Sequence, residues 1–372
     1  MFLAMKEIMH SKTRFSMIVI IFVLIAWLVF ILSGLGNGLS SLAASVFKNM
    51  DAKYVVFQQG SQNSMSKSLL SEELVADIEK VPNVTAAAPM GSTMATALKG
   101  LSNNNDDKVD IAIIGINPGT FLEPKVIEGK SLSADQPRNV IVNDTMKEDG
   151  FKLGDTFQLD GSPESLTIVG FVENQTYNHV TAVFTPMAQW RTIAFAAPGS
   201  DKGVANPVNA IMLQGSIDPD AVDAALTNTD TVTRSAAVQG MPGYKEENGT
   251  ILMMLAFLLA IAAFVLGVFF YVMTLQKTNQ FGILKAIGAR VGFLSKAIMS
   301  QVLVLSLVSI VIGILLTYGT AAIMPKGMPF KLETNLVVGY SIILLVIAML
   351  SSLVSVRRIA KIDPMKALGR VE

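Results

Sequence analysis

The sequence predicts a membrane α-helical fold with four transmembrane helices and a large extracellular α+β domain inserted between helices 1 and 2. Three observations predict it. First, residues 15–47, 248–276, 297–325 and 334–356 contain no Asp, Glu, Lys or Arg. Each stretch is long and apolar enough to cross a hydrocarbon core of ~30 Å as a helix of roughly 20 residues. Second, the segment between the first two stretches is polar and punctuated like a globular domain. Third, 51% hydrophobic and 16% charged residues, with mean hydropathy +0.50, are too apolar for a soluble chain and too charged for a wholly embedded one.

Basic residues orient the spans. Residues 1–14 carry Lys6, Lys12 and Arg14, the 277–296 connector carries Lys277, Lys285, Arg290 and Lys296, and the tail carries Arg357, Arg358, Lys361, Lys366 and Arg370. The positive-inside rule puts both termini and the connector in the cytoplasm of a multi-pass cell-membrane protein. The large domain then faces outward. It holds 15 basic and 25 acidic residues, a net charge of −10, which argues against nucleic-acid binding. The chain has no cysteine, so the outer domain needs a sufficient core of its own, and thiolate metal sites are excluded.

In order along the chain, residues 1–14 read as a cytoplasmic amphipathic helix, with Phe2, Met5, Ile8 and Met9 on one face. Residues 15–47 form the first span and an outer extension, expected to loosen around Gly34, Gly36 and Gly38 and to admit a close neighbour there. The small residues Ser41 and Ala43 resemble a signal-cleavage site, but the apolar run exceeds a usual signal core and is read as an uncleaved anchor. The outer domain spans 48–247. Its expected strands are 54–58, 109–116, 140–142, 166–172, 180–184 and 208–213, with helices at 72–80, capped by Ser71, and 219–226. The second span is 248–276, the connector 277–296, the third span 297–323, the outer loop 324–333, the fourth span 334–356 and the cytoplasmic tail 357–372.

Little here suits catalysis. There is no Gly-x-x-x-x-Gly-Lys-Ser/Thr loop to cradle a nucleotide, and His10 and His179 are the only histidines. No catalytic residue and no intrinsic metal site is assigned. The connector, in contrast, has the form of a docking helix: Phe281, Ile283, Leu284 and Ile287 are apolar knobs beside Lys285. The alternative is an amphipathic loop held at the surface by anionic membrane lipids.

The connector sequence QKTNQFGILKAIGA at 276–289 resembles the coupling segment of MacB/FtsX-type ABC transporter permeases. The tail RRIAKIDPMKAL at 357–368 and the outer segment from Val140 to Asp155 are similar to that family too, so the resemblance spans the chain. Within the family, LAMKEIM at 3–9, SGLGNGL at 33–39, FFYVMTLQK at 269–277 and Met328-Pro329-Phe330 resemble the haem-exporting permeases of Gram-positive bacteria. The resemblance implies a permease homodimer with two copies of a separate ABC-type ATPase, which carries the ATP and Mg. It implies no cofactor on this chain and haem as the transported ligand, held at the outer-leaflet level. Phe281, Ile283, Leu284, Lys285 and Ile287 would couple to the ATPase.

Phenolate, imidazole and thioether are the donors that haem iron could use here. Tyr177 and Tyr244 are expected as the main haem contacts, with Phe47 and Met50 packing on the macrocycle and Met253, Glu246 and His179 nearby. Tyr177, Tyr244 and Met50 are the candidate axial ligands, Tyr177 and His179 being read as part of a polar loop. Two other readings stay open: export of other amphiphiles, peptide or lipid-linked, and FtsX-like mechanical activation of a cell-wall hydrolase.

Overall fold

The structure, a computed structural model, describes residues 12–99, 108–325 and 328–360. The expected amphipathic helix before residue 12 and the tail beyond 360 lie outside the described residues. The chain divides into two compact units, Met1–Gly38 with Gly249–Glu372, and Leu39–Asn248.

In chain order the elements are α1 (Lys12–Asn49), β1 (Tyr54–Gln58), β2 (Leu70–Ser71), α2 (Leu74–Ile78), β3 (Val84–Leu98) and β4 (Lys108–Ile116). Then come β5 (Val126–Gly129), β6 (Asn139–Asn143), β7 (Thr156–Leu159), β8 (Ser165–Val172), β9 (Thr176–Tyr177), β10 (Val180–Pro186) and α3 (Met187–Ala194). The domain closes with β11 (Pro207–Val208), β12 (Ala210–Gly215), α4 (Pro219–Ala225), β13 (Thr229–Thr233) and α5 (Arg234–Gln239). The remaining helices are α6 (Tyr244–Gln276), α7 (Thr278–Ala286), α8 (Val291–Ile323) and α9 (Thr334–Ala360).

Four helices, α1, α6, α8 and α9, are long and apolar enough to cross a membrane. At 1.5 Å per residue, the 33 residues of α6 reach about 50 Å, well beyond a ~30 Å core. Small residues bring helices together: a Cβ on Gly313 of α8 would stand 2.9 Å from Ala26 Cβ of α1. Trp27 Nε1 of α1 donates to Thr320 Oγ1 of α8 at 3.1 Å, and Ser351 Oγ of α9 donates to the Ala263 carbonyl of α6 at 3.3 Å. The expected loosening at the glycines does not occur. Helix α1 runs through Gly34, Gly36 and Gly38, and its break is at Ala44 (φ −140°, ψ 20°). Close approach does occur at all three: a Cβ would meet the Phe330 ring at Gly34, Ile251 at Gly36 and the Pro329 carbonyl at Gly38.

The inserted domain is built on an 11-stranded sheet, ordered β13-β1-β12-β3-β4-β10-β6-β8-β5, with β7 bridging β3 and β8. Because β7 pairs with both, the strands β3, β4, β10, β6, β8 and β7 close into a ring. The β4–β10 and β6–β8 pairs are parallel. Strand β3 is where the sheet forks. Its first half, to Met90, pairs with β12, and its last residues Ala97 and Leu98 pair with β7.

Strand β3 is not evident in the sequence. It reads VTAAAPMGSTMATAL, poor in the β-branched and aromatic residues that mark strands. Its small residues are required by packing: the buried Trp190 lies over Gly91 and Gly115, where a Cβ would come within 2.3 Å and 2.5 Å of the indole side chain. Pro89 is tolerated because β4 begins pairing only at Met90. The helix expected at 72–80 is shorter, Leu74–Ile78, since Leu70 and Ser71 are drawn into pairing with Val208 and Pro207.

Candidate functional site

Two regions contain the residues to which the sequence assigns function. The first lies in the inserted domain, where α1 ends. The break at Ala44 leaves carbonyls of the preceding turn without helical partners. The β9–β10 hairpin supplies them. Asn178 N–H donates to the Ala43 carbonyl at 2.7 Å, His179 N–H to that of Leu42 at 3.2 Å, and Thr176 Oγ1 to that of Ser41 at 3.1 Å. Asn178 and His179 have φ of 50° and 67°, the left-handed pair that a two-residue hairpin turn requires. The expected polar loop is thus a tight hairpin, and Tyr177 sits on a strand.

Phe47, Met50, Tyr177 and Tyr244 all lie inside one packed core. The Phe47 and Tyr177 rings lie 6.1 Å apart at 33°. Burial pushes the Tyr177 phenol above its ordinary value of 10.0, and a hydrogen bond with Ser92 pulls partly back. A phenol so placed resists forming the phenolate that an iron ligand needs.

Tyr244 is the better placed of the two tyrosines. Its Oη is 2.7 Å from Ser40 Oγ, which accepts from Lys48 Nζ at 2.6 Å. The same ammonium donates to the Ser40 carbonyl at 2.9 Å and stands 5.6 Å from the Tyr244 ring centroid. Lys48 and Ser40 were missed by sequence reasoning. The available signal was that Lys48 is the first charged residue after the uncharged run 15–47. His179 Nε2 pairs with Glu247 Oε2 at 3.2 Å, and Glu246 and Met253 are exposed on α6. The seven candidate residues therefore separate into a buried group of four and an exposed group of His179, Glu246 and Met253.

The second region is α7. It ends at Gly288, whose φ of +97° is a left-handed cap, with Gly288 N–H donating to the Lys285 carbonyl and Ala289 N–H to that of Leu284. The expected knobs divide. Phe281 is buried with Leu294 and Ile298, and Leu284 packs against the same core. Ile283 and Ile287 point outward, 52% and 76% exposed, one helical turn apart. A cavity of about 350 Å³ lies between α7 and α8, lined by Phe281, Leu284, Phe293 and Ile298 among others. Beside it Lys277 is buried, its Nζ donating to Gln301 Oε1 at 3.0 Å and lying 5.3 Å from the Phe15 ring centroid.

Four apolar helices, an inserted α+β domain and a short connector helix with an outward apolar pair are the architecture of a polytopic membrane protein. Residues 16–229 match the MacB-like periplasmic core domain and residues 252–364 the FtsX-like permease C-terminal domain. The chain belongs to the MacB/FtsX-type family of ABC transporter permeases. It is 26% identical over 370 residues to the hemin transport system permease protein HrtB of Staphylococcus haemolyticus, covering 100% of this chain and 99% of that protein. The HrtB protein of Staphylococcus epidermidis is 27% identical over 378 residues, and an uncharacterized ABC transporter permease of Mycobacterium tuberculosis 25% over 374, with 99% of both chains covered in each case. Among solved structures, the periplasmic region of MacB from Actinobacillus actinomycetemcomitans matches 53% of this chain and 97% of its own, at 13% identity and TM-score 0.38. The extracellular domain of the Gram-positive transporter YknZ matches 47% and 89%, at 16% identity and TM-score 0.33.

Proposed function

We propose that this chain is the permease subunit of an ATP-driven exporter that expels haem from the membrane, as a defence against haem toxicity. The observation that carries the reading is end-to-end similarity to relatives named for hemin transport. In this reading both termini and α7 face the cytoplasm, and the acidic inserted domain faces outward. Two permeases pair with two copies of an HrtA-like ATPase, which binds ATP and Mg. The exposed stripe on α6 supports pairing: Met254, Phe257, Ile261, Phe264, Val268, Val272 and Leu275 recur in steps of three and four and are between 42% and 73% exposed.

Haem dissolves in the lipid, reaches the permease sideways and meets the residues where α1 ends and α6 begins. Tyr244 Oη is the iron donor of choice, and Lys48 is a cation for a propionate. Phe47, Met50, Tyr177 and Tyr244 share one buried core, so each contacts haem only if that core opens. ATP-driven closure of the motor subunits, felt through Ile283, Lys285 and Ile287, shifts the permease toward the state that releases its ligand.

The test is an absorbance spectrum of the detergent-purified permease with haem, with and without its ATPase. A shifted haem band that is lost or altered in Tyr244→Phe and weakened in Lys48→Ala supports the reading. A spectrum equal to free haem overturns it and favours another amphiphile. Unchanged haem sensitivity of cells lacking the chain favours the mechanical role.

A further inference from the structure

The fork in β3 leaves main-chain groups without partners. Along its edge toward β12 and β7, the even-numbered residues present their N–H and C=O groups. Met90 C=O accepts from Asn209 N–H, Ser92 N–H donates to Asn209 Oδ1 at 2.8 Å, and Thr96 C=O accepts from Asp160 N–H. Between these, Ser92 C=O, Met94 N–H, Met94 C=O and Thr96 N–H have no hydrogen-bond partner among the described residues. Met94 is half-exposed, so this is an open strand edge, and such edges are ordinarily covered or guarded by charge.

A cavity of about 260 Å³ surrounds this edge. It is lined from both faces of the strand: Tyr177 and Asn178 on the side that holds Phe47, Trp190 and Phe195 on the side that holds α3. No Asp, Glu, Lys, Arg or His lines it. Trp190 Nε1 is buried with no acceptor. The volume is below the roughly 300–1,000 Å³ of drug-sized ligand pockets, so it suits a short part of a longer ligand.

We propose that the Ser92–Thr96 edge binds an uncharged, extended peptide segment of a partner protein as an added strand. The argument for that occupant is the spacing of the open rungs: acceptor, donor, acceptor, donor along one strand edge is what another extended backbone satisfies, with side chains alternating into the two walls. Asn209 and Asp160, which cap the rungs on either side, limit the added strand to a short run. The site is separate from the haem residues proposed above, apart from Tyr177 in its wall, and does not depend on haem being the cargo.

The test uses the full chain in lipid nanodiscs and a fluorescein-labelled acetyl-Thr-Val-Thr-Val-Thr-amide peptide, followed by anisotropy and by amide hydrogen exchange of the β3 segment. Saturable binding is expected, with slowed exchange at Met94. The peptide N-methylated at alternate residues on one edge is expected to bind at least about tenfold more weakly, because it loses both N–H donors that would reach Ser92 C=O and Met94 C=O. Ala194→Trp, which fills the groove, and Met94→Asp, at a half-exposed side chain, are each expected to abolish binding while the haem spectrum stays unchanged. An unchanged thermal transition establishes that each variant is folded. No binding by the parent chain, equal binding of the methylated peptide, unslowed exchange at Met94, or full binding by both folded variants overturns the proposal. Loss of the haem spectrum with peptide binding intact would instead count against the haem reading alone.

Discussion

Replacing Gly38 by Ala tests whether α1 depends on close backbone approach. A Cβ at Gly38 would stand 2.1 Å from the Pro329 carbonyl oxygen and 2.8 Å from the Phe330 nitrogen. Ordinary contact begins near 3.4 Å, so backbone must retreat by more than 1 Å, and no side-chain rotamer can relieve it. Overpacking of this kind costs about 1–3 kcal/mol. Helix propensity works the other way, since Ala is favoured over Gly by about 0.5–1 kcal/mol inside a helix. Gly319 in α8 separates the two effects, because nothing lies within 4 Å of its Cβ position. Propensity cancels in the difference between Gly38→Ala and Gly319→Ala, leaving about 1–3 kcal/mol of steric cost. At about 2–4 °C per kcal/mol for domains of 150–250 residues, the two melting temperatures should differ by several degrees. The assay is thermal unfolding of both variants in one detergent, followed by intrinsic tryptophan fluorescence. Gly34→Ala should fall between them, because its obstacle is the side chain of Phe330. If Gly38→Ala melts with or above Gly319→Ala, the close approach of α1 to the 328–330 loop is not a constraint on stability.

Other expectations follow from the same geometry. Ile287→Asp or Lys285→Glu should leave the permease folded but separate ATP hydrolysis from transport in reconstituted vesicles, whereas Phe281→Ala should chiefly destabilise, by about 3–5 kcal/mol, because that ring is buried. Intact coupling in Ile287→Asp would refute the docking role. Trp190→Ala should cost about 3–5 kcal/mol in unfolding of the inserted domain, since the indole is 1% exposed and fills the space over two glycines. Tyr177→Phe should lose about 0.5–1.5 kcal/mol at neutral pH with its hydrogen bond to Ser92. The native phenol holds its proton above the ordinary value of 10.0, so the parent's stability falls as pH rises through and beyond that value. The gap between parent and Tyr177→Phe should therefore narrow in alkaline denaturation, and a constant gap would show that the phenol is not shielded.

The membrane layout was legible because it depends on composition alone. A helix that lies in lipid must be apolar along its whole length, and four uncharged runs report that without reference to any partner. Strands such as β4, β8 and β10 were legible for a related reason: each is a short run rich in β-branched residues that is largely buried. The long strand β3 was not legible, because its residues are chosen by what crosses them. Gly91 answers to Trp190, 99 positions away, and no local pattern shows that.

The candidate site divides in the same way. The family resemblance led to the expectation that Phe47, Met50, Tyr177 and Tyr244 share one site, whereas the sequence by itself showed that α7 carries apolar knobs beside a lysine. Tertiary structure alone decided which of them face a core and which face outward: Tyr177 is closed in by Phe47 and Ser92, Tyr244 is tied to Ser40 and Lys48, and Ile283 and Ile287 are left free of the bundle. The physical reason is that solubility in lipid or water is a property of a segment's own side chains, whereas burial and hydrogen-bond partnership belong to pairs of residues brought together only when the chain folds.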